Sequence, residues 1–389
     1  MEDQFHTVAF SSPELYHRIF DACTPQTMFR LGRVSTHTHL ALKNFINLAF
    51  DINTHFARFF SDPIRFRRLQ AATHFVVSGS NALQFLNRNV YPESDLDLYV
   101  NFQKVLDVCQ FILDDSVRAY TFVTHDEKDR DFVTFWEDFI ARATWHQIIH
   151  EGVTAYRLKH ILDVLTFISR DEGGHIISRV QVIVTDLDPL VCILAFHSSE
   201  FFFFFFFETK PRIFFHDLIF TAVVMNAITF KAAYSLFPKG TFEDKKTLST
   251  PSRAYNHSEE PALEKYVGRG WDVVRTISPD EQADPSAPFR YGKRWVTDSN
   301  SWILPLNTGD LNISQHAPDP FAFGSFNLIC NVEDLLPEIR FTRICHERIL
   351  ESFVCNVEFG QKLLCILHSL EEKGIQSSLK AYVLFLFFF

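Results

Sequence analysis

Hydrophobic positions recur at helical spacing from Ser12 to Phe50, and the punctuation there reads as short helices. Pro13-Glu14 opens the first, with Leu15, Ile19 and Phe20 on one side. Thr24-Pro25 starts a second by the N-cap and N1 rule, followed by Met28, Leu31 and Val34, and a third runs from Leu40 to Phe50. Between Phe59 and Gln70 the pattern turns Phe66 and Leu69 inward and leaves Arg58, Arg65, Arg67 and Arg68 for a solvated face.

At Phe75 the period changes. Phe75-Val-Val-Ser78 is a short β-branched strand, Gly79-Ser80 begins a helical stretch with Ala82, Leu83, Phe85 and Leu86, and Tyr91 to Ser94 is a turn. Asp95-Leu-Asp-Leu-Tyr-Val100 alternates as a half-buried strand does. Helices are expected from Phe102 to Leu113 and from Asp131 to Ile149, the second with Phe132, Phe135, Trp136, Phe139, Ile140 and Ala143 as core. Val180 to Val184 is a nearly continuous apolar run suited to a sheet interior, with Gln181 as its polar exception. Pro189 to Phe196 reads as a buried helix, and Ala222 to Phe230 as another. After about Thr241 the pattern weakens until Cys345 to Leu370, which is again helical.

Two segments break this regularity. Seven consecutive phenylalanines run from Phe201 to Phe207, in a chain that holds 44 Phe, with charge within one residue of the run. Such a run is an aggregation hazard that sequences usually interrupt with gatekeepers. Pyrimidine-rich sequence before a splice acceptor would be read as Phe codons, so residues 200–221 are expected to be translated intron, and the tail Val383 to Phe389 raises the same suspicion. Sequencing the spliced transcript tests this.

The 389 residues, 47% hydrophobic and 22% charged, suffice for two or three cores. A net charge of −10 repels phosphates, so any contact with nucleic acid would need a local basic patch. Seven scattered cysteines, without a C-x-x-C pair, fit neither a disulfide framework nor a zinc ribbon and point to a reducing compartment, the cytosol or nucleus. The N-terminus lacks the order of a secretory signal, and no uncharged apolar run reaches the ~20 residues that span a bilayer. No membrane partner is expected.

The chemistry concentrates between residues 75 and 100. A strand-turn-helix with Gly79-Ser80 at the helix start presents backbone N–H groups and a positive dipole end to an anion. Asp95 and Asp97 lie at i and i+2, so both carboxylates leave one face, ~6.5–7 Å apart along the chain, while Leu96 and Leu98 point to a core. That pair could share a divalent metal. The whole phrase, Ser78-Gly79-Ser80, a gap of fourteen residues, then Asp95-Leu-Asp-Leu, resembles the polymerase-beta-type nucleotidyltransferase superfamily. The resemblance implies a nucleoside triphosphate as ligand, Mg²⁺ as cofactor, Asp95 and Asp97 as metal-holding catalytic residues, and Gly79 and Ser80 as substrate-binding residues. It also implies a third carboxylate on a neighbouring strand, and the aligned position is Gln181. A neutral amide cannot accept a proton and holds a hard cation less strongly, so the expectation is weakened or absent catalysis. Asp186 or Asp188 would substitute for that carboxylate if the strand runs longer, although Asp188-Pro189 looks more like a turn or helix start, and Asp186-Leu-Asp188 imitates the pair without an upstream Gly-Ser helix start. His146 and His150, one helical turn apart beside Glu151, lack a third ligand nearby and are read as amphipathic-helix histidines.

The N-terminal segment carries its own resemblance. Pro13-Glu14-Leu15, Ile19-Phe20, Pro25 and Phe29-Arg-Leu-Gly-Arg-Val-Ser35 are similar to the F-box, with Thr36-His-Thr-His39 where that family usually has a tryptophan. The similarity implies docking to a Skp-type ubiquitin-ligase adaptor through Pro13, Leu15, Ile19 and Leu31, hence an alternative function as a non-enzymatic recruiter of a client. A helical cap packed on the next domain is the other reading of the same helices. The expected architecture is α+β: an F-box-like helical module over residues 8–50, a nucleotidyltransferase-like mixed sheet flanked by helices over 51–240, and a C-terminal region, 241–389, whose pattern defines no architecture.

Overall fold

A computed structural model of the chain describes residues 8–91, 94–124, 128–149, 161–186, 188–195, 221–249, 260–314, 317–332, 335–344 and 353–372. Its strands, in chain order, are β1 (Val76–Ser78), β2 (Leu96–Asn101), β3 (Thr121–Val123), β4 (Ile161–Arg170), β5 (Ile176–Thr185), β6 (Asn226–Ile228), β7 (Ala232–Ser235) and β8 (Lys246–Leu248). They continue as β9 (Asp272–Val274), β10 (Gly292–Trp295), β11 (Trp302–Pro305), β12 (Ser325–Cys330), β13 (Pro337–Arg340), β14 (Thr342–Ile344) and β15 (Phe353–Cys355). Eight of them form one mixed sheet in the order β11-β7-β6-β1-β2-β5-β4-β3. Only β2 and β5 pair in parallel within it; the other neighbours are antiparallel.

The helices are α1 (Pro13–Asp21), α2 (Pro25–Leu31), α3 (Thr36–Ala49), α4 (Ile52–Phe56), α5 (Pro63–Thr73), α6 (Gly79–Asn87), α7 (Val105–Leu113), α8 (Phe132–Ile149), α9 (Pro189–Ala195), α10 (Glu260–Val267), α11 (Pro279–Ala283) and α12 (Val357–Glu372). Alternation assigns the two faces of the sheet. Leu96, Leu98, Val180 and Val182 point into one core with Phe20, Phe45, Phe66 and Leu83 from α1, α3, α5 and α6. Tyr99, Ile183 and Tyr234 point into a second core with Leu190 and Leu194 of α9 and Phe326 and Leu328 of β12. A third, smaller cluster gathers Ile344 and Cys355 under α12. No helix among the described residues is long and apolar enough to cross a membrane.

Several expectations hold in detail. Thr24 caps α2, its Oγ1 accepting from Thr27 N–H at 3.4 Å, with Pro25 in the first turn. The strand-turn-helix at Ser78-Gly79 forms as read, and Ala82, Leu83, Phe85 and Leu86 are all buried. The aromatic stripe of α8 packs inward, with Phe132 and Trp136 buried, Phe135 and Phe139 half-buried against the core, and the Trp136 ring 5.2 Å from that of Phe139. Ile140, expected in the same core, is exposed, and the side chain of Ala143 lies outside the described residues.

Other expectations are corrected. The inward face of α1 is Tyr16 and Phe20, whereas Leu15 is exposed and Ile19 half-buried. The third helix begins at Thr36 rather than Leu40, because Ser35 and Thr38 close a reciprocal capping box. Arg67 is fully buried and not solvated; it donates to Asn53 Oδ1 (3.0 Å), Phe230 O (3.2 Å) and Asn307 O (2.6 Å). The stretch from Ala222 to Phe230 is a 3-10 turn, Ala222–Val224, followed by β6, since a short apolar run fits a buried strand as readily as a helix. Of the helix predicted from Cys345 to Leu370, residues 345–352 lie outside the described residues, 353–355 form β15 instead, and the helix occupies Val357–Glu372. The phenylalanine run, the tail from Val383, His150 and Glu151 lie outside the described residues, as does the side chain of His146; Thr221, the last residue of the suspected insert, is buried and bridges to Ser249.

Candidate functional site

The end of β1, the start of α6 and the start of β2 meet because β1 and β2 pair antiparallel with Ser78 opposite Asp97. The chain leaves β1 through Gly79, whose φ of +67° is a left-handed conformation that a side chain disfavours. A Cβ there would stand 2.3 Å from Asp97 Oδ2. Glycine is therefore required twice at this position, by backbone conformation and by the carboxylate lying directly against it. Ser78 is held from below, its Oγ donating to Asn226 O at 2.7 Å.

Asp97 is half-buried on the sheet face that also carries Tyr99. Burial first, and then the negative charge of Asp97, push the Tyr99 phenol well above its usual range. On the other side of β2 the parallel pairing places Gln181 opposite Asp97. The neighbouring strand thus offers an amide at the register position where the superfamily resemblance implies a third carboxylate.

Asp95 sits one residue before β2, and its partner was not anticipated. Arg179 Nε lies 3.6 Å from Asp95 Oδ1, with both side chains about a quarter exposed. Alternation explains the meeting: Arg179 and Gln181 are two apart on β5, as Asp95 and Asp97 are along β2, so both pairs project from the same side. That signal was available in the sequence two residues upstream of Gln181. Asp186 is exposed, and Asp188 Oδ1 accepts from Leu190 N–H at 2.8 Å where α9 begins, the role expected of it.

Ser80 is half-buried in the first turn of α6 and its Oγ lies 3.3 Å from Ser94 Oγ. Ser94 Oγ in turn reaches Asp95 O at 3.2 Å and also receives Gln84 Nε2. Gln84 accepts from Tyr91 N–H at 2.8 Å through Oε1, so this buried amide pins the segment before Asp95 against α6. Sequence reasoning passed over Gln84 as one more helix residue. The four predicted residues, Gly79, Ser80, Asp95 and Asp97, therefore come together at one end of the central strands, a carboxylate edge joined by Arg179 and Gln181.

The fit to a catalytic metal pair is poor. Two carboxylates are present, one of them already facing a guanidinium, and no group of three or more His, Cys, Asp or Glu among the described residues could hold a metal ion. No family model, no curated protein and no solved structure matches the chain.

The adaptor-binding candidates are spread over the N-terminal helices. Pro13 and Leu15 are exposed, the latter by 42%, while Ile19 and Leu31 are half-buried. Val34 and Leu40 are also exposed. The inner side of the same helices is part of the sheet's own core, and Arg88 at the end of α6 ties them down by donating to Phe20 O and Cys23 O, both at 2.9 Å.

Proposed function

We propose that this chain is a nucleotidyltransferase-like protein that binds a nucleoside triphosphate at the Gly79, Ser80, Asp95 and Asp97 edge, with catalysis weakened or lost. The observation that carries the reading is the contact between Gly79 and Asp97 with Gln181 as the opposite neighbour. It keeps the helix start adjacent to the carboxylate edge while removing the group that would complete a metal-holding trio. The N–H groups of the first turn of α6 supply phosphate donors, and Arg179 supplies a cation beside Asp95. Asp97 is the residue that would hold a single Mg²⁺ carried in with the phosphates; the reading routes no bond-making step through it.

Titration calorimetry of magnesium-ATP against the full chain tests this. Saturable binding is expected for the wild type and not for Asp97→Ala, and equal heats from both proteins would end the proposal. Incorporation of labelled nucleotide that depends on Asp97 would show that binding is accompanied by turnover, against the reading of lost catalysis.

A second reading is favoured by one observation, the outward apolar positions Leu15, Val34 and Leu40 on the N-terminal helices. In it these helices dock on a Skp-type adaptor, and the sheet domain presents a client. Co-purification with that adaptor, abolished by Leu15→Asp, is the outcome expected. Retention of the adaptor by that variant, or no retention by the wild type, removes the reading.

A further inference from the structure

An acidic chain can approach a polyanion only where cations are locally concentrated. One such place exists between α2 and β10. A groove of about 900 Å³ is lined by Arg30, Arg33, Lys239, Arg290, Lys293 and Arg294 against the single acid Glu243. Not all of these charges are available. Arg294 is buried and held by Asp298 at 2.6 Å, Lys239 lies 3.9 Å from Asp244, and Lys293 lies 3.9 Å from Glu358. Glu243, however, is also committed, accepting from Gln26 N–H at the start of α2 at 2.7 Å. Arg30 and Arg33 are exposed one turn apart at the end of α2, and Arg290 is exposed on the facing wall. None of these three forms an ion pair with a described residue.

We propose that this groove binds single-stranded nucleic acid. The competing polyanion is an acidic peptide, which would gain most of its affinity by adding a strand to the edge of β10, since β10 is paired on one side only. That edge is short and capped at both ends: Tyr291 N–H is taken by Gln282 Oε1 at 2.6 Å and Trp295 N–H by Asp298 Oδ2 at 3.0 Å, so an incoming peptide backbone finds the donors on either side of Lys293 already used. A phosphodiester chain needs no such edge, because guanidinium groups hold its phosphates directly. Phe29 and Tyr291, both half-buried in the groove, add ring faces of the kind on which unpaired bases stack.

The position of the groove adds a geometric consequence. Trp302 on its floor pairs with Ser235, Ser235 with Asn226, and this row lies at the Gly79 end of the main sheet. Four strand spacings separate β11 from β2, ~19 Å at the usual interstrand distance. A short strand held in the groove thus lies on the same end of the sheet as the carboxylate edge. Binding in the groove does not require nucleotide at Asp97, and the two are separable by experiment.

Fluorescence anisotropy of a labelled oligouridine of about twelve nucleotides, titrated with the full chain at about 50 and about 200 mM salt, is the test. Neutralisation of about three phosphates predicts a log–log salt slope near −2. Arg30→Ala with Arg33→Ala is expected to weaken binding roughly tenfold and to flatten the slope by about 1.4. The paired control Arg18→Ala with Lys104→Ala, exposed and away from the groove, leaves both unchanged, and Asp97→Ala keeps oligonucleotide binding even where it abolishes nucleotide binding. Absence of saturable binding at the lower salt, or an unaltered affinity in the Arg30/Arg33 variant, overturns the inference. So does displacement of the oligonucleotide by poly-aspartate or by anionic vesicles at equal charge concentration.

Discussion

Two regions of this molecule bring charged and titratable groups against the same sheet and treat them in opposite ways. In the layer formed by α4 and α5, Arg67 is fully buried and its two terminal nitrogens donate to three acceptors, with only Nε left without a partner, while His55 Nε2 lies 2.7 Å from Asn81 Oδ1. At the carboxylate edge, Asp95, Asp97, Arg179 and Gln181 are all half-buried, and Arg179 meets Asp95 only loosely at 3.6 Å. A buried charge held by three hydrogen bonds, two of them to distant segments, serves structure, because any rearrangement would leave it uncompensated in a low-dielectric environment. A half-buried charge with a long contact can exchange its partner for a ligand. The contrast fits the first region to architecture and the second to the nucleotide recognition proposed above.

The largest effect expected from this contrast is at Arg67. Arg67→Leu should cost about 3 kcal/mol of stability, since it leaves two backbone carbonyls and Asn53 without their donor, yet change nucleotide affinity by less than about twofold. Urea denaturation beside calorimetry measures both, and a stability loss under about 1 kcal/mol would mean that burial there carries no structural charge. Gly79→Ala should come next and show the opposite balance. The left-handed backbone and the clash with Asp97 Oδ2 together predict a loss of about 2 kcal/mol, but nucleotide binding should disappear because the helix start is displaced.

His55 sharpens the comparison through pH. Burial, with a further contribution from Arg58 and against the hydrogen bond to Asn81, lowers its imidazole from 6.5 to about 4. The folded value is below the unfolded one, so the unfolded chain binds the extra proton across that window. Stability from this residue is therefore complete above pH 6.5 and is lost as the pH falls toward 4. The full shift corresponds to about 3 kcal/mol, and screening at the partly exposed ring reduces it to about 1.5 kcal/mol. Denaturation of wild type and His55→Gln near neutrality and near pH 4.5 should show the variant's pH dependence shallower by that amount. Identical slopes would place the acid sensitivity elsewhere.

These two regions also differ in how far they could be read in advance. The carboxylate edge was legible because it is local: strand period, Gly-Ser turn, helix period and strand period follow one another within Phe75 to Val100, and strand pairing then had little freedom. Gln181 was legible for the same reason, as the polar exception in an apolar strand. Arg67 was not, because Arg65 and Arg68 beside it are exposed, and its acceptors Phe230 and Asn307 come from chain far away in sequence. The pairing of β11 with β7 was invisible for a related reason; a four-residue strand leaves too few alternations to show a period. The segment from Ala222 to Phe230 failed differently, since an apolar run buried on both faces carries no periodicity from which to choose helix or strand.

The smallest expected effect is also the most discriminating. Gln181→Glu would set a second carboxylate beside Asp97 in the same register, and two like charges on adjacent strands repel by about 0.5–1 kcal/mol when nothing neutralises them. In chelator the variant should therefore melt lower than the wild type. Added Mg²⁺ should reverse the difference, because the introduced carboxylate would give Asp95 and Asp97 the third oxygen donor that the native amide withholds. The α4 and α5 layer offers no such response, since Arg67 is a cation bonded to an amide and two carbonyls, so Arg67→Leu should melt lower with or without Mg²⁺. If magnesium leaves the Gln181→Glu deficit untouched, Asp97 and residue 181 do not converge on a common ligand, and the edge is a surface feature of the sheet and not a nucleotide site.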